Sequence, residues 1–390
     1  MKFVLAGMVV ELAREKALGT NLAHRLRAAA SQNRYVHRLG EKRANLPAVL
    51  GLMRSEHAKR VAMIAGYDRF YFLRSHAQLL WQRRLSIPNF HSTSSLAELH
   101  LHLEGSIEPE TLLAIDPALS HEEMEANLTC RSFEEFIRGY IWVGKKLEKP
   151  EHYAMAARDL LERLAAQNVS YAEITLSAGM VLWKGQDLAA VYDAVWKESQ
   201  RARAQSFWIL DAIRHFGAEH GMEVARFAVS RANDGVVAYG IGGDEVRGPA
   251  EWFRDVFAYA RDGGLHLVCH AGETAGPESI WAALEIGAER IGHGISAIRD
   301  PALLKRLRES QVPLEVCISS NVCTGAVASL EAHPVRELYD AGVPITLNTD
   351  DPAFFRTTLA REYELARERF GLPVDELAAN AFRYGFAADR

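Results

Sequence analysis

Two histidines one residue apart, His100 and His102, close an apolar-alternating run that begins Leu96-Ala97-Glu98-Leu99. In an extended strand, positions i and i+2 point to the same side, so both imidazoles project toward one point. Neutral imidazole is a preferred ligand of zinc and similar divalent metals, which makes the pair a candidate metal pincer. Leu103-Glu104-Gly105 follows at once and adds a carboxylate and a flexible turn. Two surface histidines at a strand end would look the same. The distinction rests on whether other segments supply further ligands.

Three more apolar runs do. Residues 265–269 end in His270-Ala271-Gly272-Glu273, residues 290–292 end in His293-Gly294, and residues 345–349 end in Asp350-Asp351-Pro352. Each has a plain reading when taken singly: a satisfied strand-end histidine, or an Asp-Pro turn. Their joint placement at successive strand ends is what carries chemistry. Three such histidines and one aspartate suffice for a mononuclear zinc set with room left for a water.

The elements that must position these residues are legible as an alternation. Short apolar runs recur at 96–101, 169–177, 208–214, 234–241, 265–271, 289–293, 313–318 and 344–349, and helix-period stretches such as 153–167, 188–204, 250–262 and 301–309 separate most of them. Eight strands alternating with helices predict an α/β fold, a closed parallel (β/α)8 barrel of the TIM type. In such a barrel the C-terminal strand ends converge on one pocket. An open doubly wound sheet would need a G-x-G-x-x-G or G-x-x-x-x-G-K-[ST] segment after an early strand. Neither follows the first run, and Gly240-Ile241-Gly242-Gly243 ends the fourth, where a tight turn is the better reading.

The 390 residues are 48% apolar and 24% charged, the composition of a soluble globular protein. The net charge of -5 hides an asymmetry: residues 1–95 carry 16 Lys+Arg against 5 Asp+Glu, the remaining 295 carry 29 against 45. The chain therefore divides into a basic N-terminal extension, 1–95, and an acidic barrel, 96–390, for which no nucleic-acid affinity is expected. An over-long translation start or loose packing is the favoured reading of the extension, ahead of polyanion binding or targeting. Cys130, Cys269, Cys317 and Cys323 form no C-x-x-C pair, which fits reduced thiols in a cytoplasmic enzyme. The apolar start of the chain meets Glu11, Arg14 and Glu15, too early for a membrane span or a good secretory signal. Oligomeric state is not encoded legibly.

Leu99 to Glu104, His270-Ala271-Gly272-Glu273, His293-Gly294, Ser320-Asn321-Val322-Cys323-Thr324-Gly325 and Asn348-Thr349-Asp350-Asp351-Pro352 together resemble the motifs of the adenosine deaminase family. These are metal-dependent amidohydrolase-type barrels, and the motifs occur in the family's order over roughly 96–386. The resemblance implies zinc-dependent hydrolytic deamination of a 6-aminopurine nucleoside, adenosine or deoxyadenosine first, giving the 6-oxo product and ammonia. It implies one Zn2+ per subunit, held by His100, His102, His270 and Asp350, that brings a water toward ionisation for attack at C6. Glu273 would protonate ring N1, while His293 and Asp350 would orient the water, with His293 a candidate proton acceptor. Substrate contacts would come from His102, Glu104 (on the ribose 5′ side), the Gly243 N–H at purine N3, and Asp351 at N7. The neighbouring carboxylate should raise the Asp351 pKa.

Two absences sharpen the resemblance. Binuclear amidohydrolases usually bridge their metals with a lysine at the fourth strand end, where this chain has glycines; the other zinc deaminase class needs a P-C-x-x-C segment downstream of its H-x-E, and no P-C-x-x-C is present. Glu104 is the departure, because many adenosine deaminases resemble one another in having Asp there. Adenine deaminases of the family show H-x-H-x-E-G. Aminodeoxyfutalosine deaminases, which act on a 5′-extended adenine nucleoside, are the third substrate class. A non-catalytic nucleoside-binding relative is the reading from another class, and the intact set of acids and histidines argues against it. The aromatic stretch from Ser132 to Trp142 predicts an amphipathic helix that in the family lids the pocket, and the end at Ala387-Ala388-Asp389-Arg390 predicts a short C-terminal cap.

Overall fold

A computed structural model of the chain describes residues 95–387. The expected basic extension, residues 1–95, lies outside the described residues except for Ser95, as do residues 388–390. Eight strands follow in order: β1 Leu96–Glu98, β2 Val169–Leu176, β3 Gln205–Ile213, β4 Val236–Gly242, β5 His266–Ala271, β6 Arg290–His293, β7 Leu314–Val316 and β8 Ile345–Leu347. Each pairs in parallel with the next. The ring closes just beyond the last strand: His102 N–H donates to the Asp350 carbonyl at 2.9 Å, and Asp350 N–H to the His100 carbonyl at 3.0 Å. The predicted (β/α)8 barrel is the fold.

The strands form where apolar residues run without a break, because a parallel barrel buries both faces of each strand. Helices form where the period changes. Pro150–Ala166 opens with proline at its first turn and buries Tyr153, Ala157, Leu160, Leu161 and Leu164, a stripe spaced by three and four that packs on the barrel. Each of the three leucines contributes about 1.5–3 kcal/mol through removal from water.

Two departures from the predicted elements matter for the site. The eighth run, expected to 349, ends its ladder at Leu347, because the Asn348 side chain turns to accept from Leu99 and His100 N–H. The seventh ends at Val316, since Ile318–Cys323 coils into a helix that carries Ser320 and Asn321 inward. A separate apolar layer, with Leu99, Tyr171, Ile209 and Val268 inside the barrel, is backed by Phe382, Tyr384 and Phe386 from the C-terminal tail. Among the described residues no helix is long and apolar enough to cross a membrane.

Candidate active site

The strand-end residues converge. Asp350 Oδ1 lies 3.4 Å from His100 Nε2 and 3.3 Å from His102 Nε2. His102 Nε2 in turn lies 3.2 Å from His270 Nε2. The outer nitrogens of two of these rings are already committed: His100 Nδ1 is 2.7 Å from Glu315 Oε2, and His270 Nδ1 is 3.2 Å from the Ile241 carbonyl. Acceptors on both Nδ1 atoms leave each Nε2 aimed at the centre, the arrangement that orients histidine ligands. His100 Nε2 is buried with no hydrogen-bond partner. Without a metal, the flanking Glu315 and Asp350 outweigh burial and raise His100 to about 10, so the ring carries a proton where a cation would otherwise sit. An orphaned buried nitrogen facing two imidazoles and a carboxylate fits a divalent metal. Two groupings are close enough to hold one, His100, His270, His293 and Asp350 in the first and His102, Asp350 and Asp351 in the second, so the predicted ligands divide between them and share Asp350.

Two residues here adopt left-handed backbone: His293 at φ 61° and Asp350 at φ 64°. That region is unfavourable for non-glycine residues, and local strain of this kind concentrates where function over-determines the chain. His293 Nε2 sits 3.7 Å from Glu273 Oε2 and 3.8 Å from Asp350 Oδ2. Asp350 Oδ2 accepts from the Ser320 hydroxyl at 2.7 Å. Contacts with His100 and His102 overcome the burial of Asp350 and keep it well below the usual carboxylate range. Glu273 and Asp351 shift the opposite way: burial, then the Asp350 charge, pushes both well up. The expected shift of Asp351 is thus present, with burial rather than its neighbour as the larger cause. Burial, with a smaller contribution from the neighbouring His100 and His102, lowers His293 to about 4 against an opposing pull from Asp350.

A cavity of about 260 Å3 opens above this cluster. Its deep end is lined by His102, His270, Glu273, His293, Asp350 and Asp351. Its outer part is apolar, walled by Phe133, Phe136, Ile137 and Tyr140 of the helix Phe133–Lys146 and by Trp183 and Phe216 at the mouth. The latter two rings stack at 6.1 Å and are 55% and 37% exposed, unusual for residues of their size. Gly243, at φ 95°, is among the residues that line the cavity.

Glu104 is placed differently from the expectation. Its carboxylate accepts from Ser177 N–H at 3.1 Å and from the Tyr140 hydroxyl at 3.2 Å, and it is not among the residues lining the cavity. It stands behind the wall and holds two residues that do line it. Gly105 beside it is required by close approach: a Cβ there would meet Asp351 Oδ1 at 1.6 Å.

Three residues without an assigned role prove central. Glu315, inside the apolar run Leu314-Glu315-Val316, holds His100. Glu245 accepts from the backbone N–H of Gly272, Glu273 and Thr274 and from the Ser279 hydroxyl, at 2.5–3.0 Å, and so fixes the loop that carries Glu273. Asp211, at the end of β3, lines the cavity, and burial pushes it up to about 8. The available signal was the same for each, an acid in or beside an apolar strand. The four cysteines are free, in keeping with reduced thiols.

Comparison with known proteins places this geometry. The family model described as adenosine deaminase matches residues 95–389. The chain is 37% identical over 308 residues to the aminodeoxyfutalosine deaminase of Streptomyces coelicolor, covering 74% of this chain and 79% of that one. It is 35% identical over 293 residues to the adenine deaminase of Rhizobium leguminosarum, covering 72% and 90%. The crystal structure of adenine deaminase from Arthrobacter aurescens superposes with a TM-score of 0.70 at 30% identity, covering 75% and 94%.

Proposed function

Since the chain belongs to the adenosine deaminase family, hydrolases acting on C–N bonds, we propose that it removes the exocyclic amine of an adenine nucleoside extended on its ribose 5′ side, a substrate of the aminodeoxyfutalosine kind. The observation that carries this reading is the two-part cavity. The acids and histidines at its deep end suit the purine, and the apolar outer half from Phe133 to Phe216 would stay empty over a bare base. Relatives named for aminodeoxyfutalosine and for adenine, rather than adenosine, move the substrate away from the adenosine first expected. Free adenine is the second reading, favoured by the name of the solved Arthrobacter structure.

His100, His102, His270 and Asp350 would hold one zinc ion per subunit. When bound, the metal supplies Lewis acidity to the attacking water. The rest falls to side chains. Glu273, kept protonated by burial, donates to ring N1 and so makes C6 electrophilic. Asp351, also protonated and with Oδ1 lacking a partner, offers its proton to N7. The Gly243 N–H faces N3, and His102 borders both the metal and the substrate. Glu104 acts through Tyr140 and Ser177. The apolar wall excludes water from the purine and orients its C6 edge downward.

The test is the ratio of kcat/KM for aminodeoxyfutalosine, adenine and adenosine, followed by purine absorbance in zinc-loaded protein. Highest efficiency with the extended nucleoside is expected, falling about tenfold on Trp183→Ala, roughly the worth of one well-formed aromatic contact. Fastest turnover of adenine would install the second reading. No turnover of any would end both.

A further inference from the structure

His333 is 4% exposed, lies outside the cavity and takes no part in the chemistry above. It nonetheless ends a hydrogen-bond chain that reaches His293. The chain starts from a donor that cannot be reversed: the Val335 backbone N–H points at His333 Nδ1, 3.2 Å away. Nδ1 is therefore an acceptor, and the proton of the ring is on Nε2. That Nε2 faces Asn321 Oδ1 at 3.2 Å, so the amide oxygen accepts there. The other end of the amide, Nδ2, must then donate to His293 Nδ1 at 3.0 Å. With Nδ1 accepting, neutral His293 carries its proton on Nε2, the nitrogen directed between Glu273 Oε2 and Asp350 Oδ2.

Reversing the amide fails. Asn321 Nδ2 would then donate to His333 Nε2, and both nitrogens of that ring would be acceptors, which only an imidazolate permits. Protonating His333 fails too, since an Nδ1–H would oppose the Val335 N–H. All three side chains are buried: Asn321 is 0%, His293 1% and His333 4% exposed. One proton arrangement satisfies every group.

The geometry points to Asn321 and His333 as positioning residues that lock His293 in the Nε2–H tautomer, so that it enters the reaction as a hydrogen-bond donor. In its resting form His293 then has no lone pair facing the site. It steadies the oxygen that arrives at C6 by donation from Nε2. This revises the acceptor role expected for His293. Only the kinetic arm of the test depends on the deaminase reading.

Zinc-loaded protein labelled with 15N-histidine, with His293 assigned by the signal lost in His293→Ala, reports the tautomer directly in long-range 1H–15N spectra. The Nε2–H pattern is expected for His293 and for His333. Asn321→Asp offers only acceptors, so His293 should move to Nδ1–H, and kcat should fall on the order of 100-fold while bound zinc stays stoichiometric. His333→Phe removes the anchor and should mix the two tautomers. His333→Gln, which keeps a donor toward Asn321, should restore both the Nε2–H signal and most of kcat. A merely structural role would not distinguish Phe from Gln in this way. An Nδ1–H His293 in the unsubstituted protein overturns the assignment, as does an unchanged tautomer in both Asn321→Asp and His333→Phe. Absence of turnover in every form, with the expected tautomers present, would fault the proposed function and leave the lock standing.

Discussion

The two ends of the barrel solve opposite problems with the same residue types. At the floor, Arg290 is buried between two buried carboxylates, 2.6 Å from Glu173 Oε2 and 2.6 Å from Glu315 Oε1. The tail completes the arrangement: Tyr384 offers its carbonyl to Arg290 Nη1 at 3.0 Å, and Phe386 N–H donates to Glu173 Oε1 at 2.5 Å. The Phe386 ring lies 3.8 Å from the Arg290 guanidinium and stacks at 4.2 Å on His266. Every charge there faces an opposite one. At the other end the carboxyls of Glu273, Asp350 and Asp351 meet at one cavity whose lining includes no Arg or Lys, and Asp351 Oδ1 is buried with no hydrogen-bond partner. Buried acids without a countercharge cost free energy, so their gathering at one cavity marks a place where function outweighs stability. The floor matches its charges within the fold; the upper face leaves its acids and histidines facing a cavity. Glu315 belongs to both, with one oxygen toward Arg290 and the other toward His100.

Four experiments would break or sharpen that contrast. Metal removal should have the largest effect: dialysis against a chelator is expected to take deaminase activity to background, with recovery on adding zinc. Glu273→Gln comes next. It should lower kcat by about 10²–10⁴ while zinc content, measured by atomic emission, stays at one per chain. Glu315→Gln tests the residue shared by the two ends. Competition with a chromophoric chelator should show zinc affinity weakened about 10–100-fold, the usual consequence of losing a partner of a ligand histidine. Affinity like that of the unsubstituted chain would detach the floor from the metal site. Phe386→Ala should act on the floor alone, costing about 2 kcal/mol in denaturant unfolding with kcat unchanged, because the ring is only partly buried.

The pH dependence of the metal-free protein is subtler. Burial raises Asp211 to about 8, and Glu98 and Glu104 to about 7. These groups keep their protons in the folded chain after the unfolded chain has lost them. The folded state therefore binds more protons across that range, and stability falls as pH rises. Buried histidines such as His333, lowered to about 4, oppose this trend only below the ordinary histidine pKa of about 6.5. The melting temperature without metal should accordingly decline from about pH 6.5 to 8. A rising melting temperature there would contradict the burial assigned to these acids.

The fold and the histidines and acids that converge at the strand ends were legible because they depend on local pattern. Continuous apolar runs specify strands buried on both faces, and ligand types at their ends are chemistry in plain view. Glu104 shows the limit. The family resemblance implied a substrate contact at its position, but in the fold its carboxylate is claimed by the backbone N–H of Ser177, 73 residues away. Glu245 and Glu315 were obscured for a related reason, since an acid in an apolar segment announces burial without saying which group it serves. His333 gave no signal at all. Its part in the site follows from one backbone N–H and one amide, and neither direction can be read from residue types. Residues 1–94 contribute nothing to these contrasts, as they lie outside the described structure.

The central claim is hydrolysis at C6 of a 6-aminopurine by this site. It is tested most directly by incubating zinc-loaded protein with aminodeoxyfutalosine and with adenine in 18O-water, then measuring product mass and free ammonia. The expected result is one ammonia released per product, with one 18O at C6, and neither from Glu273→Gln at the same protein concentration. Product lacking the label, or no ammonia from either compound, would contradict it.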